Sequence, residues 1–127
     1  MEKSKRMVFF GGAGVSTESQ IPDFRSEKGL YQAQEEYGFP PEIMLSRSFF
    51  DRSPEIFYRY YKENLIHRDA KPNDSHKALA HWEERGNLLG VVTQNIDGLH
   101  QKAGSRQVVE LHGSVHRNFC MNCGAPY

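Results

Sequence analysis

Four short stretches of this 127-residue sequence carry residue types suited to holding and activating a nucleotide. Gly12-Ala13-Gly14-Val15-Ser16 is a glycine loop, and backbone N–H groups free of bulky side chains can approach a pyrophosphate, with a following helix N-terminus adding partial positive charge. Gln94, Asn95 and Asp97 could fix an amide-bearing ligand, because Asn and Gln both donate and accept while Asp accepts from an NH₂ group. His112 could act as a general base, since imidazole titrates near neutral pH. Asp23, Phe24 and Arg25 bring together a carboxylate, an aromatic ring and a guanidinium that could line a nucleotide pocket. Each stretch also has a plainer reading. The glycines could serve a strand-to-helix turn, Asn95 and Asp97 a helix cap, Asp23 and Arg25 a solvated loop, and His112 packing. His67, His76, His81, His100 and His116 are read as structural.

Cys120 and Cys123 have the spacing of a zinc knuckle, but a structural zinc takes four ligands. His112 and His116 could complete a local Cys₂His₂ set, which would remove His112 from acid–base work. Otherwise a second CxxC pair is expected after Tyr127, where this sequence stops just past the knuckle.

Apolar runs at Met7–Phe10, Leu88–Thr93 and Val108–Leu111 read as buried parallel strands. Helices are predicted from about Pro54 to Leu65, from Asn73 to Gly86, and from about Asp97 to Gly104, with the first two expected to pack together. Between Phe24 and Arg47, Gly29, Gly38, Pro40 and Pro41 interrupt any sustained period, which predicts a long ordered loop with short helical turns. Strands alternating with helices imply an α/β parallel sheet, in which ligands bind at the carboxyl ends of the strands. The glycine loop, the Gln94–Asp97 stretch and His112 follow the three strands, so they should share one rim.

Composition narrows the partners. Sixteen basic residues balance sixteen acidic ones, which leaves no basic field for nucleic acid or anionic lipid. A hydrophobic content of 38% with 12% aromatic residues excludes disorder as the default. No apolar run approaches the roughly 18 residues of a membrane span. A soluble, cytoplasmic protein is expected. The glycine loop also departs from the dinucleotide fingerprint GxGxxG, since Thr17 stands where the third glycine is needed, which disfavours an ordinary NAD-dependent dehydrogenase.

Taken together, Gly12 to Ser26, Thr93 to His100 and Leu111-His112-Gly113 closely resemble the sirtuin family of NAD-dependent protein deacylases, bacterial members in particular. The likeness runs from about Met7 to the end and covers about the first half of a sirtuin catalytic domain. It departs from the family at Gln20, where glycine is common, and this affects a turn. The resemblance implies a Rossmann-like sheet with an inserted helical small domain and the start of a zinc module. On that basis 1–40 and 87–116 belong to the cofactor domain, 41–86 to the small domain and 117–127 to the zinc module.

The resemblance further implies that Gly12, Ala13, Gly14 and Ser16 hold NAD, with Asp23, Phe24 and Arg25 in the loop over the reacting ribose and phosphates. Gln94 would contact the nicotinamide ribose, and Asn95, Ile96 and Asp97 would take the carboxamide. His112 would be the base for a ribose hydroxyl, and Cys120 and Cys123 two of four zinc ligands. The implied reaction deacetylates lysine in a protein or peptide and releases nicotinamide and O-acetyl-ADP-ribose. Tyr58 is followed by Tyr61, not by the arginine of desuccinylase-like members, which favours an uncharged acyl group. The alternative is a non-catalytic nucleotide- or zinc-binding fragment.

Overall fold

The computed structural model describes residues 6–23 and 26–127, and the chain forms two compact bodies, one spanning 22–68 and the other the remainder. The body that carries the sheet contains β1 (Met7–Gly11), β2 (Leu88–Thr93) and β3 (Val108–Glu110), all parallel, in the order β1-β2-β3. β2 reproduces the predicted limits, and β1 and β3 differ from them by one residue at the carboxyl end. Gly11 pairs with Thr93 and Thr93 with Glu110, so the three strands end level. That register sets the next residues of all three strands along one line. Gly11 must lack a side chain, because a Cβ there would lie 2.5 Å from the Phe9 ring.

One face of the sheet is sealed by α5 (Asp74–Glu84), whose Leu79 and Trp82 pack with Leu88, Val91, Phe9 and Val108. Leu79, Leu88 and Val91 are buried, and full burial of such side chains stabilises by about 1.5–3 kcal/mol each. The opposite face differs from the sequence expectation of strands buried on both sides. Val8, Phe10 and Val109 are exposed there, because these residues supply no second helical layer to it. A short helix, α6 (Leu99–Lys102), follows β2.

The 22–68 body is helical, with α1 (Glu27–Tyr37), α2 (Pro41–Met44), α3 (Arg47–Arg52) and α4 (Pro54–Asn64). Here the long loop with short helical turns expected between Phe24 and Arg47 is corrected over 27–37, which form a regular helix of three turns. Ser26 caps α1 by accepting from Gly29 N at 3.3 Å, and Gly38 ends it with φ 77°, so Gly29 is an interior residue and not a breaker. Ala33, Met44, Phe49 and Tyr60 form its core, flanked by Tyr37, Leu45 and Phe57. Tyr37 donates to Glu63, and burial together with that carboxylate pushes its phenol up to about 12. α4 thus packs within this body, whereas α5 belongs to the sheet body, with limits at 22 and 68 instead of 41 and 86.

Candidate functional site

The first two strand ends meet at Ser16. After β1 the chain makes two consecutive 3-10 turns, Ala13–Val15 and Thr17–Ser19, which turn Ser16 inward to 1% exposure. Its Oγ donates to Asp97 Oδ2 at 2.7 Å and accepts from Asn95 Nδ2 at 3.0 Å. Asp97 Oδ1 accepts from Leu99 N at 2.9 Å, so the carboxylate caps α6 with one oxygen and holds Ser16 with the other. Thr93 Oγ1 accepts from Asn95 N at 3.0 Å, and Gln94 N donates to Gly11 O at 3.0 Å. These bonds fix side-chain directions before any ligand arrives.

The third strand end is stitched to the second. His112 Nδ1 lies 3.0 Å from Gln94 O. A carbonyl can only accept, so Nδ1 carries the proton and the lone pair of the neutral ring resides on Nε2. That is the tautomer a base requires, and His112 is solvent-exposed. Val115 N donates to Ile96 O at 3.0 Å, and His116 Nε2 donates to Asp97 O at 3.0 Å. Arg117 pairs with Glu110 at 2.7 Å, the carboxylate being buried.

The glycines are not there for backbone angles. Gly12 has φ −142°, and Gly14 lies outside the set of positive-φ residues. A Cβ on Gly14 would meet nothing within 4 Å, and one on Gly12 only Gln94 Oε1 at 3.7 Å. The protein itself therefore leaves open space at the Cβ positions of Gly12 and Gly14, which is what a bound phosphate group would need. Among the described non-glycine residues only Gln20 has a positive φ, 64°, at the position where the resembled family favours glycine.

The structure thus gathers Gly12, Ala13, Gly14, Ser16, Gln94, Asn95, Ile96, Asp97 and His112 on the rim. Asp23 lies in the 22–68 body, and Phe24 and Arg25 lie outside the described residues. Sequence reasoning missed Asn73 and His116 as parts of this framework. A helix start at Asn73 was legible in the sequence; the bonds from its Nδ2 to Val15 O and Ser19 Oγ were not.

Cys120 and Cys123 sit in a tight turn in which Cys120 N donates to Ala125 O and Gly124 N to Cys120 O, both at 2.8 Å. Both thiols are free. The backbone amides of Cys123 and Asn122, aimed at the Cys120 sulfur, hold its thiol below the ordinary range, a setting suited to a metal-bound thiolate. Among the described residues no group of three or more His, Cys, Asp or Glu could hold a metal. The local Cys₂His₂ set is therefore corrected: His112 and His116 are bonded to the Gln94 and Asp97 carbonyls instead.

Inside the sheet body His76 and His100 are fully buried with ring centroids 4.7 Å apart. His76 Nε2 and both ring nitrogens of His100 have no hydrogen-bond partner among the described residues. Burial lowers both imidazoles, the neighbouring ring adding to the effect at His100, while Asp97 opposes it at both. No described helix is long and apolar enough to cross a membrane.

A level parallel rim with an open glycine loop, cross-linked amide and carboxylate side chains and a presented imidazole defines an α/β protein with its polar site at the carboxyl ends of the strands. The chain belongs to the Sir2 family, whose model matches residues 12–127. It is 59% identical over 125 residues to an NAD-dependent protein deacetylase of Clostridium acetobutylicum, covering 98% of this chain and 51% of that protein. A protein of the same name from Clostridium tetani is 58% identical over 123 residues, with 97% and 50% covered. A solved Sir2 structure with deacetylated p53 peptide and 3′-O-acetyl ADP ribose superposes with TM-score 0.85 at 42% identity, covering 99% of this chain and 49% of that one. Sir2Tm bound to a propionylated peptide gives 0.81 at 42% identity, covering 99% and 47%. The chain spans about half the length of the relatives it matches.

Proposed function

We propose that this chain forms the cofactor-side half of a sirtuin-type, NAD-dependent protein lysine deacetylase that releases nicotinamide and O-acetyl-ADP-ribose. The single observation that carries the reading is the network in which Ser16 ties Asn95 to Asp97 while Gln94 O fixes the His112 tautomer. NAD supplies the electrophilic ribose carbon and the leaving nicotinamide. Gly12, Ala13 and Gly14 offer backbone amides to its phosphates, with Asp23, Phe24 and Arg25 as the covering loop. Gln94 faces the nicotinamide ribose. Asn95 and Asp97, with the Ile96 backbone between them, grip the carboxamide, which orients the departing ring. His112 Nε2 takes the proton of a ribose hydroxyl so that this oxygen can receive the acetyl group.

The partner is an acetyl-lysine protein or peptide; solved relatives are described with deacetylated and propionylated peptides. Cys120 and Cys123 hold a structural zinc as two of its four ligands, in a cytoplasmic protein. A second reading, a non-catalytic nucleotide- or zinc-binding fragment, is favoured by the presence of only two suitably spaced thiols.

The test is a chimera joining this chain to the unmatched half of the Clostridium acetobutylicum relative. NAD-dependent deacetylation should appear, and His112→Ala should lower turnover by at least about 100-fold while NAD binding persists. Unchanged turnover in His112→Ala would refute the role of the base. NAD binding by the chain in calorimetry, without turnover in the chimera, would favour the fragment reading.

A further inference from the structure

We propose that Asn73 is a positioning residue for the loop that follows β1 and presents Gly12–Ser16, acting as a strut between that loop and the start of α5. Its side chain faces two ways. Oδ1 accepts from Ser75 N at 3.0 Å and His76 N at 3.4 Å, which caps α5. Nδ2 donates to Val15 O at 2.7 Å and to Ser19 Oγ at 3.0 Å, across 58 and 54 residues of sequence. An ordinary N-cap needs only the acceptor oxygen, and Asp or Ser would serve equally well. The amide alone supplies both the acceptor for the helix and two donors for the loop.

The position of those donors matters because Val15 immediately precedes Ser16. Ser16 is held on its side-chain side by Asp97 and Asn95, and on its backbone side the loop is closed by its own turns, Ser16 N to Ala13 O and Ser19 N to Ser16 O. Asn73 braces the carbonyl next to Ser16 and the buried hydroxyl of Ser19, and so fixes the loop against α5. Through Ser16 the same brace reaches the Asn95 and Asp97 side chains. Its effect on NAD rests on the functional reading above, but its effect on the loop does not.

Asn73→Asp separates the two duties, since aspartate keeps the cap and loses the donors. The expected result is amide hydrogen exchange at least about fivefold faster at Ser19, Gln20 and Ile21, two neutral hydrogen bonds being lost, while Lys77 and Arg85 within and at the end of α5 keep their protection. NAD affinity should fall by a similar factor. Asn73→Ala should accelerate both segments. If Asn73→Asp does not fold, Ser19→Ala removes one acceptor without touching the cap, and it should accelerate the same loop amides more weakly. Unchanged loop exchange in the variant that folds, or uniform acceleration of loop and helix in Asn73→Asp, overturns the strut. Should the unsubstituted chain fail to bind NAD, the functional reading loses support, and the exchange data still decide the role of Asn73.

Discussion

The strand-end rim and the cysteine turn follow one another in the same body but are organised in opposite ways. On the rim, polar side chains from segments about 80 residues apart satisfy each other: Ser16 meets Asp97 across 81 positions and Asn95 across 79. At the cysteine turn the backbone bonds that close the segment are local, running among Asn118, Cys120, Gly124, Ala125 and Tyr127. The rim is therefore built before it binds anything. The turn presents two free thiols, and on the proposed reading a zinc would supply the order it lacks, in keeping with metal sites whose binding energy is itself folding energy.

That contrast can be broken by substitution. Ser16→Ala should cost about 1–3 kcal/mol in denaturant unfolding, because it strips two bonds from a buried cluster and leaves Asp97 and Asn95 short of partners. A loss below that range would mean the rim is no more tightly built than the turn.

Acid should also act on the rim's side of the comparison. His76 and His100 are held neutral by burial, so their folded values lie below the ordinary 6.5. The unfolded chain then binds more protons, and the stability this confers is complete above pH 6.5 and drains away as pH falls through that value toward the folded ones. The slope can reach about 1.4 kcal/mol per pH unit for each histidine. Melting of the chain from pH 7.5 to 5 should show it, and His100→Leu should reduce it; an unaltered slope in that variant would remove His100 from the account.

A smaller gain is expected at Gln20, the left-handed residue that ends the loop. Gln20→Gly should stabilise by about 0.5–1 kcal/mol, since glycine carries no Cβ penalty there but gives up some backbone entropy. The smallest effect belongs to the cysteine turn. In metal-free solution Cys120→Ser should shift stability by no more than about 0.5 kcal/mol, the level of an ordinary surface change. A larger loss would show that the turn is integrated into the body without metal.

Much of this was legible along the chain. The three strands were recoverable from β-branched and aromatic runs, and α4 and α5 from Ser53-Pro54 and the Asn73 cap. α1 was not, because Gly29 inside the helix and Gly38 at its end look alike in a linear reading, and only the Ser26 cap distinguishes them. The site residues were recognised by type and by their positions after strands. Their roles as alternatives, cap or ligand group, could not be separated, and Asp97 uses one oxygen for the cap and the other for Ser16, a partner 81 positions away that no local pattern reveals.

What the sequence by itself determined was which residues end strands, which start helices, and to which family the motifs belong. Local pattern suffices for these, since each depends on neighbours within a turn or a strand. Only the tertiary structure decided that Gly11, Thr93 and Glu110 lie level, that Ser16 closes on Asp97, and that His112 Nδ1 donates a hydrogen bond to Gln94 O. A register is set by the pairing of strands distant in sequence, and a one-residue slip in that pairing would have turned each of these groups to the other face of the sheet.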